Sequence, residues 1–288
     1  MLGCSSCSRV GRDGDLPLPA RPCLDWVKAV PFAHRGLHGP DIGPENSLAA
    51  FDAAIAAGYG IECDVRLLAD GEVAVFHDAD LTRMTGRAGR IEDLRAADLR
   101  ELRLSGTDER PPLLRELLAR CAGRVPLYVE LKGDSRPGRL EPAVAGLLDG
   151  YAGRVLAASF DPFSLARLAA LRPTLPRCLI SCDFDTATDM GRVKRFLYAN
   201  LLHAAVARPH CLAYGWRGLP RLMPALFRRL GLPVLLWTVR AREDMVKALR
   251  HGDNIVFEGF LPPSPDAAME QEGRGSAEIG RASCRERV

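Results

Sequence analysis

At 288 residues and 47% hydrophobic content, the chain is long enough for one large domain or two small ones. A formal charge of +3, with no long basic run and no aromatic–basic ladder, argues against nucleic-acid binding. No stretch approaches the roughly 20 apolar residues of a membrane span, and residues 1–23 lack the apolar centre of a signal peptide. The expectation is a soluble cytoplasmic protein with no stable membrane insertion.

Nine cysteines are scattered without paired CxxC motifs, which excludes a zinc knuckle and fits a reducing compartment better than a disulfide scaffold. The lone CxxC, Cys4 and Cys7, lies in a polar leader. Arginine dominates the cations; lysine occurs only at Lys28, Lys132, Lys194 and Lys247. Residues 1–23 read as a flexible leader or a start placed too early, 24–266 as one domain, and 267–288 as a disordered tail. Its last stretch, "EIGRASCRERV" at 278–288 and including Cys284, resembles a translated sequencing adapter and is set aside from fold reasoning.

In chain order, short apolar runs at 31–34, 60–65, 126–131, 154–160, 177–181, 210–214, 233–239 and 254–258 predict strands. Amphipathic stretches between them, such as 47–57, 162–171, 220–230 and 242–250, predict helices. In "FDPFSLARLAALRP", Asp161 is placed to cap a helix, Pro162 to open it and Pro173 to stop it. Eight strands alternating with helices over about 250 residues is the arithmetic of a (β/α)8 TIM barrel. A doubly wound open sheet is less well supported, because no glycine-rich phosphate turn opens the first helix. One segment breaks the alternation. Asp70-Gly71 reads as a hairpin turn after the second strand, and the polar, arginine-rich residues that follow are too many for a βα loop. Residues 79–111 are therefore expected to form a small insertion over the barrel mouth, followed by a helix over 112–120.

Residues two apart in a strand share a face, so "IECDV" puts Glu62 beside Asp64 and "YVELKG" puts Glu130 beside Lys132. Acids in otherwise apolar strands are costly unless paired or bound to a cation. Both pairs are expected near strand C-termini, the face on which barrels carry their active sites. Three carboxylates without a Cys–His cluster favour a hard divalent ion, Ca²⁺ or Mg²⁺; the competing reading is a set of buried salt bridges to Arg35, Arg66 or Lys132. His34 and His77, at the ends of the first strand and of the hairpin, are the acid–base candidates. Arg35 offers a fork for phosphate and Lys132 a compact charge. His38, His203, His210 and His251 have no acidic partner at useful spacing and read as structural.

The ordered set "AHRG", "PENS", "ECDV", "DGEVAVFHDADLTRMTG", "VELK", "ASF" and "LLWTV", spread over about residues 31–263, resembles the glycerophosphodiester phosphodiesterase family. The resemblance implies a barrel hydrolase that converts glycerophosphodiesters to an alcohol and sn-glycerol 3-phosphate with a bound divalent cation. It implies Glu62, Asp64 and Glu130 as metal ligands, and His34 and His77 as the acid–base pair. Arg35 and Lys132 would contact phosphate, Glu45 and Asn46 would line the site near the metal, and Trp237 would pack by the substrate. The chain departs from the pattern at Ser47, where threonine is usual, and at "NIVFEGFLP", where a Thr-Asp ending is replaced by Phe257 and Glu258. "PPLLREL" likewise lacks the usual threonine. A phospholipase-type enzyme on lysolipids or phosphoinositides would want an exposed apolar rim or a basic amphipathic helix at the mouth; the charged, aromatic-poor insertion favours a small soluble substrate. A non-catalytic barrel is disfavoured by the completeness of the constellation.

Overall fold

The computed structural model describes residues 22–133, 137–184 and 190–263. Both chain ends, with Cys4, Cys7 and Cys284, lie outside the described residues.

Strand formation follows the apolar runs. The strands are β1 (Phe32–Ala33), β2 (Gly60–Leu67), β3 (Val73–Val75), β4 (Leu127–Leu131), β5 (Val155–Ser159), β6 (Arg177–Ser181), β7 (Cys211–Gly215), β8 (Val234–Val239) and β9 (Asn254–Phe257). All but β3 run parallel in the order β1-β9-β8-β7-β6-β5-β4-β2, and a β1–β2 pairing closes the barrel. Such strands are covered on both faces, which is why nearly every strand residue is buried.

The period of two divides the core. Even-numbered Phe32, Tyr128, Leu156, Ile180 and Val256 fill the barrel interior, together with Cys211, Ala213 and Leu235. Helix α1 (Asp25–Ala29) closes the bottom with Val27, and Asn254 donates from Nδ2 to the carbonyls of Val27 and Val30, each at 2.7 Å. The alternate residues face the helices: α2 (Leu48–Ala56), α4 (Leu114–Cys121), α5 (Leu140–Leu147), α6 (Pro162–Leu171), α8 (Ala204–Ala207) and α10 (Arg242–Ala248). Phe257 belongs to this outer layer, with its ring 4.8 Å from Tyr59 and 5.8 Å from Phe260. It packs and does not narrow the mouth.

Local signals behave as their chemistry dictates. Asp161 Oδ1 accepts from Phe163 N at 2.9 Å with Pro162 at the first helical position of α6. Ser47 Oγ caps α2 by accepting from Ala50 N at 3.2 Å, so the hydroxyl that replaces threonine keeps its role. In "PPLLREL" half of a capping box survives: Glu116 accepts from Leu113 N at 2.8 Å although Leu113 has no hydroxyl to reciprocate.

β2 and β3 form the expected antiparallel hairpin, with Gly71 at φ +87° in its turn. Beyond it come α3 (Thr82–Thr85) and two 3-10 turns, Ile91–Asp93 and Asp98–Glu101. Leu81, Met84, Ile91, Leu99, Leu102 and Leu104 from this segment pack on Leu68, Ala74 and Phe76 as a separate small core. Residues 79–111 thus carry their own apolar support beside the mouth.

His203 stacks on Tyr198 with ring centroids 4.1 Å apart, and burial pulls its imidazole down to about 4 from 6.5. The folded ring stays neutral where the unfolded ring takes up a proton, so the stability present above pH 6.5 is lost as pH falls towards about 4. Thermal unfolding midpoints should therefore fall more steeply with acidification in the wild type than in His203→Phe, which keeps the stack and removes the titration; equal slopes would contradict this.

Candidate active site

The turn after β1 is built to aim Arg35. Arg35 sits at φ +57°, a left-handed conformation that costs a non-glycine residue about 1–2 kcal/mol. In return its backbone N–H donates to Glu62 Oε2 at 2.8 Å, while its side chain reaches Glu45 Oε1 at 2.8 Å and lies 3.3 Å from Asp64 Oδ2. Gly36 follows at φ +83°, where a Cβ would meet the Ala50 Cβ at 2.9 Å. The glycine of "HRG" is required by this approach to α2. Asn46 N donates back to Arg35 O at 2.8 Å and closes the loop.

The carboxylates sit on adjacent strands, with Asp64 in register with Glu130 and Glu62 with Tyr128. Glu62 and Asp64 lie mid-strand rather than near the end of β2, as the sequence reading expected, because β2 runs on to Leu67 into the hairpin. All three are buried, and one oxygen from each lies within 4.8 Å of the others. Lys132 Nζ lies 2.9 Å from Asp64 Oδ1 and also bonds Glu130. Asn46 Nδ2 donates to Asp64 Oδ2 at 2.9 Å. Arg66, a possible partner for these acids, turns away: it bonds Glu92, the His77 carbonyl and the Gly133 carbonyl, tying the mouth loops together.

The electrostatics follow from this packing. Burial, with Asp64 and Glu130 close by, pushes the Glu62 carboxyl well above the usual carboxylate range. Burial raises Glu130 too, partly offset by Lys132. For Asp64, burial is outweighed by Lys132, His77, Arg35 and His34, and its carboxyl is held low. Lys132 is buried, yet Asp64 and Glu130 keep it charged.

His34 and His77 both line one cavity of about 470 Å³ at the C-terminal end of the barrel, with Arg35, Glu62, Glu130 and Lys132. Its opposite wall holds Phe160 and Trp237, whose rings meet edge-on at 5.6 Å. Each histidine is held through Nδ1: His34 by Glu258 Oε2 at 2.8 Å, and His77 by Asp78 Oδ1 at 2.6 Å. The hydrogen bond from His34, helped by Arg240 at 2.9 Å, keeps Glu258 charged down to about 2. Burial pulls His77 below its ordinary value. Glu45 stands behind Arg35 rather than among the residues lining the cavity, shared between Arg35 and Arg83.

Two supports escaped the sequence reading. In the sequence Glu258 stands only as a departure from the family pattern, and its partner lies 224 positions away. Arg83, in the insertion, holds both Glu45 and Asp78; the signal available was an arginine in a segment otherwise read as solvated.

A parallel barrel that gathers two imidazoles, two cations and three buried acids at its C-terminal mouth is an enzyme, with chemistry directed at an anionic substrate. The chain belongs to the Glycerophosphoryl diester phosphodiesterase family, whose model matches residues 34–257. It is therefore a phosphoric diester hydrolase. It is 26% identical over 262 residues to a glycerophosphodiester phosphodiesterase of Caldanaerobacter subterraneus, covering 86% of this chain and 100% of the relative. The crystal structure of the Thermotoga maritima glycerophosphodiester phosphodiesterase is 27% identical, with a TM-score of 0.63 over 79% of this chain and 94% of that one. An Oleispira antarctica phosphodiesterase, solved in complex with sn-glycerol-3-phosphate, shares the fold at 22% identity, with a TM-score of 0.70 over 86% of this chain and 99% of that one.

The donor set fits a metal. Three clustered carboxylates, two of them raised by burial and mutual repulsion, suit a hard divalent cation. Titrating Ca²⁺ or Mg²⁺ should raise the unfolding temperature, by the equivalent of about 2.7 kcal/mol at a hundredfold excess over Kd. Glu62→Gln should abolish most of that rise, and an unchanged response would remove Glu62 from the ligand set.

Proposed function

We propose that the protein hydrolyses glycerophosphodiesters to an alcohol and sn-glycerol 3-phosphate, with His34 and His77 as its acid–base pair. The observation that carries this reading is the meeting, in one cavity, of two oriented imidazoles with Arg35, Lys132, Glu62 and Glu130, the two acids clustered with buried Asp64, in a chain of this family. A divalent cation, Ca²⁺ or Mg²⁺, held by Glu62, Asp64 and Glu130 would supply Lewis-acid stabilisation of charge on the non-bridging phosphate oxygens.

The remaining chemistry belongs to the side chains. Arg35 and Lys132 offer donors to the phosphate, in a cavity where low dielectric strengthens each contact. Trp237 and Phe160 give the substrate an apolar wall. With Nδ1 engaged, each imidazole has Nε2 left for substrate. Burial favours the neutral His77 ring, the state that accepts a proton. His77 takes the proton of the glycerol hydroxyl adjacent to the phosphate as that oxygen attacks phosphorus. The bond to the departing alcohol breaks, and His34 gives its oxygen a proton. Water then opens the cyclic phosphate with the two roles exchanged. Glu258 positions His34 throughout.

The small soluble substrate and the cytoplasmic setting are part of this reading. Support for the first comes from the modest cavity, and for the second from the mostly buried thiols of the described residues. No helix of the described residues is long and apolar enough to cross a membrane.

The test is release of glycerol 3-phosphate from glycerophosphocholine, with and without chelator, against a lysophospholipid. Preference for the micellar lipid would overturn the substrate class. His34→Ala and His77→Ala should each lower kcat by about 10²–10⁴ with the circular dichroism spectrum unchanged; full activity in either would cancel its role. Glu258→Gln should lower kcat roughly tenfold or more at near-constant KM, and a change confined to KM would make Glu258 a substrate contact instead.

A further inference from the structure

Residues 190–242 hold nine arginines, one lysine and no aspartate or glutamate. This acid-free sector spans α7 (Arg192–Ala199), α8, β7, the 3-10 turn Trp216–Gly218, α9 (Leu222–Arg229) and β8. Eight of the exposed large apolar side chains also fall in it, among them Val193 at 74%, Phe196 at 61% and Leu222 at 81% exposure. On α7, Val193, Phe196 and Leu197 stand at i, i+3 and i+4, which is one helix face. Leu222 and Leu226 repeat the spacing on α9, and exposed Leu230 follows it. A solvated helix face intersperses acids with bases. Here apolar stripes stand among cations, of which Arg228 and Arg240 are paired to Asp253 and Glu258 from outside the sector.

Topology brings the leading ends of α7 and α9 to the mouth, while Leu230, past the end of α9, lies at the opposite end of the barrel beside Leu24 and Pro233. α7 follows β6 and α9 follows β7, and β6 and β7 are neighbours in the barrel. Cys182 and Arg217, on the two connecting segments, line the catalytic cavity. A ladder of aromatic rings joins cavity to helix: Trp237 to Phe160, Phe160 to Phe184 at 6.4 Å, and Phe184 to Tyr198 of α7 at 6.1 Å.

We propose that this face docks peripherally on an anionic lipid surface. Val193, Phe196 and Leu222 enter the boundary between headgroups and acyl chains, while Arg192, Lys194 and Arg217 meet lipid phosphates. Charge selects this occupant. A second copy packed through the same face would set the cations of α7, Arg192 and Lys194, against their own copies with no acid on that helix to offset them. The charged insertion, from which the sequence reading judged the mouth, lies after the second strand; the apolar rim follows the fifth and sixth parallel strands, β6 and β7. Docking holds the mouth against the surface without a spanning segment and does not depend on which diester is cleaved.

Co-sedimentation of the full chain tests this without reference to catalysis, with phosphatidylcholine vesicles containing phosphatidylglycerol set against phosphatidylcholine alone. The expected result is binding to the anionic vesicles only, weakened by salt. Lys194→Ala should weaken it about fivefold, and Val193→Ser/Phe196→Ser should abolish it, while turnover of glycerophosphocholine in solution stays at wild-type level. Failure of the wild type to bind, or equal binding by the variants, overturns the proposal. So does sedimentation velocity showing a wild-type dimer that Val193→Ser/Phe196→Ser converts to monomer without any vesicle binding.

Discussion

Three carboxylates buried side by side on β2 and β4 set the terms for everything near them. Each charged acid taken out of water costs several kcal/mol after relaxation, and the register that sets Asp64 against Glu130 makes them repel. Arg35 and Lys132 offset two of the charges, and the excess appears at Glu62, whose carboxyl is driven upward. The left-handed backbone at Arg35 is part of the same solution, because it lets one residue serve Glu62 with its N–H and Asp64 with its guanidinium. Asn46, also at positive φ, gives Asp64 a neutral donor from the other end of the loop. The residual negative charge is what suits the cluster to the cation of the proposed function.

Around that centre, the histidines are held by a second tier of charge. Arg240 steadies Glu258, which steadies His34; Arg83 steadies Asp78, which steadies His77. One chain of support joins residues far apart in the sequence and the other spans only residues 77–83, yet each fixes Nδ1 of its imidazole. Both rings thus engage a carboxylate through Nδ1, and under the proposed mechanism Nε2 is the nitrogen that meets substrate.

Much of this was legible in the sequence because strands in a closed barrel are apolar on both faces and announce themselves as runs. The alternation inside them was legible too: Glu62, Asp64, Glu130 and Trp237 fall on interior positions by counting in twos. What counting could not supply was reach. Whether Phe257 or Glu258 enters the mouth depends on the parity of β9, and only the fold shows Phe257 against Tyr59 and Glu258 against His34. Arg66 shares its strand face with Asp64 and was a plausible partner by spacing, yet the insertion supplies Glu92 and loop carbonyls supply the rest. The apolar face of α7 was missed for a different reason: its residues look like ordinary helix filling until the barrel shows which side they present.

Glu45 is bonded at once to Arg35 in the first loop and to Arg83 in the insertion, and Arg83 also holds Asp78. One carboxylate therefore couples a segment with its own small core to Arg35, the proposed phosphate contact, and through Arg83 to the support of His77. Segments of this kind are where relatives of a barrel diverge in length and sequence. Exchanging residues 79–111 for those of a relative would detune a histidine that the exchanged piece does not contain. A graft that keeps the apolar core but omits a cation at position 83 would fold onto the barrel and still leave Glu45 and Asp78 each short of a counter-charge.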